Sequence, residues 1–166
     1  MKKALWSGLA AVVAILALST PAAAQSTATG TITVTVNVSA RASLALGTNA
    51  ITFADADPVS TPTLSSGAIT VDARARTGAN SNVTLTVLAS GDLVDGSNSI
   101  AINQLTWAGT GDLTATGTSN STTAQTVGSW TGPGARSGSQ TYSLPNSWDY
   151  AIGSYQATLT YTLSAP

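Results

Sequence analysis

Apolar and polar residues alternate along several stretches of this chain. From Tyr155 to Leu163, the residues Tyr155, Ala157, Leu159, Tyr161 and Leu163 alternate with Gln156, Thr158, Thr160 and Thr162. Successive side chains of a strand point to opposite faces, so a period of two predicts a half-buried strand. Leu159 and Tyr161 are expected to face a core, and Thr158 and Thr160 to face away from it. Ile32, Val34, Val36 and Val38 alternate as regularly with Thr31, Thr33, Thr35, Asn37 and Ser39, which predicts a first strand to match the last. Ile69, Val71, Ala73 and Ala75 leave Asp72, Arg74 and Arg76 on the opposite face, and Val83-Thr84-Leu85-Thr86-Val87 repeats the pattern.

Shorter elements are expected at 44–46, 51–53, 100–107, 112–118, 123–130 and 139–144. Loops rich in Asp, Gly and Pro separate them at 54–62, 78–81, 91–96, 130–134 and 145–153. No amphipathic helical period runs over eleven residues beyond the N-terminal stretch. Eight or nine short strands with turns roughly every ten residues predict an all-β chain, a single β-sandwich of immunoglobulin-like topology.

The N-terminus changes the picture. Lys2 and Lys3 precede an apolar run from Leu9 to Leu18, and Ala22-Ala23-Ala24 follows a break at Ser19-Thr20-Pro21. This is the pattern of a secretory signal peptide, residues 1–24, cleaved after Ala24. The run is about half the length that spans a bilayer, so the mature chain, residues 25–166, is expected to carry no membrane anchor. It is expected to be exported through the Sec pathway to the periplasm, the cell surface or the medium.

Charge and chemistry narrow the function classes. Beyond residue 24 there is no Lys, Glu, His or Cys, and four Arg against seven Asp leave a net charge of −3. So little positive charge argues against nucleic acid as a partner. Without His, Cys or Lys there is no Ser-His or Cys-His nucleophile, Schiff base or ordinary zinc site. An enzyme is not expected, and neither is a cofactor.

Asp55 and Asp57 in one loop are a candidate calcium pair, or an Asx turn that needs no ion. Trp130, Trp148 and Tyr150 flank turns and are candidate surface aromatics for stacking on sugar rings, whereas Trp107, inside an alternating run, is expected in the core. Asn37, Asn82 and Asn120 begin glycosylation sequons.

The terminal segment resembles the distal motif of the WxL domain, a cell-surface module of Gram-positive bacteria. That motif has Tyr, three residues, an aliphatic residue, Thr-Trp-Thr-Leu and a nearby Pro. Tyr155, Leu159, Thr160, Thr162, Leu163 and Pro166 match it, and Tyr161 stands where Trp is usual. The proximal Trp-x-Leu is missing, because Ala108 and Gly109 follow Trp107. The resemblance implies a non-enzymatic, cell-wall-associated or adhesion module that binds wall polysaccharide or other surface proteins.

The chain also resembles pilin-type subunits of chaperone–usher systems, including the spore coat U type. Those end in an alternating strand, with Gly fourteenth from the end and Tyr second from it. Gly153 fits, Ala165 departs, and the disulfide usual in spore coat U members cannot form here. This second resemblance implies self-assembly by strand donation, with Thr29–Val38 as the donated segment.

Overall fold

The structure, a computed structural model, describes residues 26–166; the leader expected at residues 1–24 lies outside them. The chain divides into two units, Met1–Val36 and Asn37–Pro166. Every residue from 26 to 36 is exposed, and none belongs to a strand. The strand expected at residues 31–38 is therefore absent, since Asn37 to Ala40 are unpaired as well. Alternation marks which face a strand would bury, but a strand also needs a hydrogen-bonding neighbour, and this stretch has none among the described residues.

The second unit is nearly all β, with one short 3-10 turn at Ile102–Gln104 among the described residues. One antiparallel sheet runs in the order β1 (Arg41–Leu46), β3 (Ile69–Arg76), β10 (Gly134–Pro145), β7 (Thr106–Gly111) and β8 (Thr116–Thr118), with β2 (Thr63–Ser65) beside the far end of β10. The other sheet is β11 (Leu159–Ser164), β4 (Asn82–Ala89) and β9 (Gln125–Thr131). A small hairpin, β5 (Leu93–Asp95) and β6 (Asn98–Ile100), completes the set.

The described residues thus form eleven strands, more than the eight or nine expected. Four of them are only three residues long, too short for alternation to reveal. Residues 51–53 form no strand, and of residues 112–118 only the last three do.

Inward residues of both sheets meet in one core, as in a β-sandwich. β3 contributes Ile69, Val71, Ala73 and Ala75, and β4 contributes Val83, Leu85, Val87 and Ala89. β10 adds Tyr142 and Leu144. Between β2 and β3 the ladder on β10 is kept by Ser66, whose Oγ accepts from Tyr142 N at 2.9 Å while Ser66 N donates to the Tyr142 carbonyl at 2.8 Å. A side chain thus replaces a backbone group between the two strands.

Trp107 lies in the core, as its alternating context predicts. Its ring covers Gly117 of β8, where a Cβ would come within 2.6 Å of the indole. β8 can lie this close only because that residue is glycine.

On β11, Leu159, Tyr161 and Leu163 are half-buried against the core, and Thr160, Thr162 and Ser164 are exposed. The expected faces are correct. The strand itself begins only at Leu159, because before it Gln156 makes an isolated bridge to Val94 and Thr158 bonds to Ser90 partly through the serine side chain, so no continuous ladder forms. Leu85→Ala, at a fully buried site, should cost about 2–5 kcal/mol, and Thr160→Ala no more than about 0.5 kcal/mol. Leu159→Ala should fall between them, because its side chain is only partly covered. Urea denaturation of the three variants tests this order.

Candidate binding groove

The first and last strands of this unit stand at the free edges of their sheets. Among the described residues β1 pairs only with β3, and β11 only with β4. In an antiparallel pair, alternate residues turn their N–H and C=O groups away from the partner. β11 therefore presents a row of such groups with no strand to receive them.

The two edges run antiparallel. β3 ends at Arg76, opposite the start of β1 at Arg41, and Thr77 Oγ1 of the following turn donates to the Pro166 carbonyl just beyond β11. At the other end, where β1 finishes and β11 begins, lies an open groove of about 1170 Å³. Its apolar lining includes Leu46, Ile51, Phe53, Ile69, Leu105, Tyr142, Leu144, Tyr155, Leu159 and Tyr161.

Two loops form the rim. Asn146 Nδ2, just past β10, donates to the carbonyls of Ala56 (2.9 Å) and Thr61 (3.0 Å), which holds the 54–62 loop against the corner at 145–153. Residues 51 and 53, expected to form a strand, instead pack against the core from the segment just before the 54–62 loop. The corner is closed by Tyr155, whose hydroxyl donates to the Ala151 carbonyl at 2.9 Å.

On the floor, Tyr142 from one sheet and Tyr161 from the other bring their hydroxyls within 2.7 Å. Burial pushes the Tyr142 phenol far above the usual tyrosine range, and the neighbouring Tyr161 adds to the rise. Burial also raises Tyr161, while the hydrogen bond from Tyr142 pulls it down. One hydroxyl donates to the other, so a single polar contact ties the sheets together inside an apolar wall.

The sequence-predicted site residues are scattered. Trp148 is exposed, at 74 % of its free surface, on the groove rim. Tyr150 is half-buried against the core. Trp130 corrects the expectation of a surface aromatic, because it is buried and Arg136 lies over its ring, 5.5 Å from the centroid. It is the penultimate residue of β9, so its nearness to a turn does not bring it outside.

Asp57 Oδ1 accepts from Val59 N at 2.9 Å, which makes an Asx turn, and no group of three metal-ligating residues exists among the described residues. Asn120 Oδ1 likewise caps Thr122 N and Thr123 N. Of the WxL-like residues, Leu159, Thr160, Tyr161, Thr162 and Leu163 form β11, with Tyr155 before it and Pro166 after it.

No protein-family model matches the chain, and comparison with curated proteins finds no match. The groove is what the sequence reading missed. The hint lay in an apolar excess: Leu46, Ile51 and Phe53 sit beside turn residues without alternation, and Ile32–Val38 alternates without a partner.

The tyrosine pair gives a pH dependence. The folded state holds the Tyr142 and Tyr161 protons more tightly than the unfolded chain does. That stabilisation is complete below about pH 10, the ordinary phenol range, and is lost as pH rises above it. Stability measured by urea titration should fall above about pH 10. Tyr142→Phe should lower stability at neutral pH by leaving Tyr161 unpaired, and should flatten the alkaline decline.

Proposed function

We propose that this protein is a non-enzymatic structural subunit of an exported surface fibre. In this reading, residues Thr31–Val38 of one copy fill the groove between β1 and β11 of the next. It is the pilin-like assembly implied by the second sequence resemblance, with an immunoglobulin-like sandwich one strand short. One observation carries it: Ile32, Val34, Val36 and Val38 stay 91, 81, 77 and 64 % exposed, while an apolar groove stands open where β1 ends and β11 begins, each strand paired along one edge only.

The magnitudes favour filling it. Burying a Val or Ile side chain yields about 1.5–3 kcal/mol, so four of them supply roughly 6–12 kcal/mol before ordering costs. The backbone edge of β11 adds main-chain hydrogen bonds, as in other strand-addition complexes. A hairpin back over the same copy's β1 is disfavoured, because only Ser39 and Ala40 separate Val38 from Arg41. Neither is the Gly, Asn or Asp that a two-residue turn requires. Donation between copies escapes that restriction.

The groove lining holds Asp55 and Asp57, one of them an Asx-turn former, with Asn, Ser, Thr, Gln and Tyr. The cell-wall-module reading rests on the WxL-like residues and on exposed Trp148, and needs no copy-to-copy contact.

Assembly tests the proposal. Sedimentation velocity should detect concentration-dependent polymers of the purified protein. Val34→Asp and Val36→Asp together should abolish them while leaving the monomer folded by circular dichroism, since both side chains are exposed. A peptide of the Gly30–Ser39 sequence should raise the melting temperature of that double variant by mass action. A stable monomer that sediments with isolated cell walls would favour the wall module instead.

A further inference from the structure

Charge is divided between the two ends of the sandwich. Arg41 and Arg76 are cross-strand partners on β1 and β3, Arg74 lies opposite Ser43, and Arg136 lies opposite Ala73 on β10. Arg41, Arg74 and Arg76 therefore sit at the end of the larger sheet where β1 begins, and Arg136 lies further in, level with Leu44 in the middle of β1. Arg41, Arg74 and Arg76 are exposed.

Five of the seven aspartates lie at the other end. Asp55 and Asp57 line the groove rim, and Asp149 is in the corner after β10, its Oδ2 accepting from Ser147 Oγ at 3.0 Å. Asp92 and Asp95 follow the end of β4. There Asp92 Oδ1 accepts from Ile102 N at 2.9 Å, and the Asp95 carboxylate lies against Gly153. Asp72, on the same face of β3 as Arg74, and Asp112 lie beside Ser137 and offset part of the basic charge, which leaves the basic pole positive.

Strands of eight residues, such as β3 and β4, put the poles roughly 25 Å apart at about 3.3 Å per residue. That exceeds the Debye length of about 8–10 Å in physiological salt. The poles of one copy therefore do not neutralise each other, and each is free to act on another molecule.

We propose that the subunits stack head to tail, with the basic pole of one copy against the acidic groove rim of the next. This rests on the strand-donation reading and adds a recognition surface to it. The chain leading into β1 joins at Arg41, within the basic pole, and the groove opens at the acidic pole. A segment leaving the first pole is thus delivered at the opening of the second. Such an interface is heterologous, so repeating it builds an open filament and not a closed dimer. Opposite poles speed and orient the encounter, and like poles exclude head-to-head pairing.

Charge exchange tests it. The basic-pole variant carries Arg41→Glu, Arg74→Glu and Arg76→Glu; Arg136 is kept because it covers Trp130. The acidic-pole variant carries Asp55→Arg, Asp95→Arg and Asp149→Arg, which turns five acidic charges into three basic and two acidic ones and so reverses the sign of that pole. Circular dichroism checks that both fold.

Wild-type polymerisation should weaken at least tenfold between about 20 mM and about 500 mM salt, where screening shortens from roughly 20 Å to about 4 Å. Each variant alone should assemble at least tenfold more weakly than wild type at low salt. An equimolar mixture should recover to within about threefold, because the two variants present complementary poles in alternation. Polymers insensitive to salt and to both variants would overturn this inference and leave strand donation intact. So would polymers weakened by each variant but not restored on mixing. A wild-type protein monomeric at every salt and concentration would overturn both.

Discussion

Everything distinctive here depends on an unmet hydrogen-bonding edge over an unfilled apolar trough. A two-layer sandwich is stable when each sheet covers the other's apolar face. Here β3, β4 and β10 satisfy that demand in the middle, where Val71, Val83, Leu85 and Tyr142 have lost almost all contact with solvent. Toward β1 and β11 the cover thins, and Leu44, Leu159, Tyr161 and Leu163 remain half-buried. Exposed strand edges are usually blunted by charge, proline or a bulge. β11 carries none of these along Leu159–Ser164, and its exposed residues are Thr and Ser.

The two sheets are held in register by a few inter-sheet contacts set into the apolar layer. Toward the groove the Tyr142–Tyr161 hydroxyl pair spans the layers. Toward the arginine-rich end Arg136, from the larger sheet, lies over Trp130 of the smaller. Within the larger sheet, fully buried Gln140 donates from Nε2 to the Leu113 carbonyl at 3.1 Å and fixes the turn between β7 and β8. Its Oε1, like the indole nitrogens of Trp107 and Trp130, has no partner. A buried polar atom left unpaired costs about 1–3 kcal/mol. Apolar packing around these groups has to offset that cost.

Much of this was legible in the sequence. The faces of β3, β4 and β11 follow from residues such as Val71 against Asp72 and Leu159 against Thr160, since alternation states directly which side is covered. Gln140, Tyr142 and Leu144 share a face for the same reason. Trp130 misled because it adjoins Gly132-Pro133, and proximity to a turn says nothing about which way the last residues of a strand point. Ile32–Val38 misled for a deeper reason. Hydrophobic periodicity records that a face is meant to be buried, not which molecule will bury it. The groove was illegible because its walls come from segments as distant in sequence as Leu46 and Leu159, and only the fold brings them together.

The pairing of β11 also constrains the order of events when the chain first folds. Its partners on β4 lie 70 residues away at Leu159–Ala89 and 80 away at Ser164–Thr84. Until residue 164 is available, β4 lacks one neighbour and the core lacks Leu159, Tyr161 and Leu163. A chain produced from its N-terminus must therefore wait, with Val83 to Ala89 ready to pair but unpartnered on one side, for Leu159–Ser164. Closure over so long a loop is slow. During that interval the β4 edge is open to any extended segment nearby, including the Thr/Val stretch of another copy.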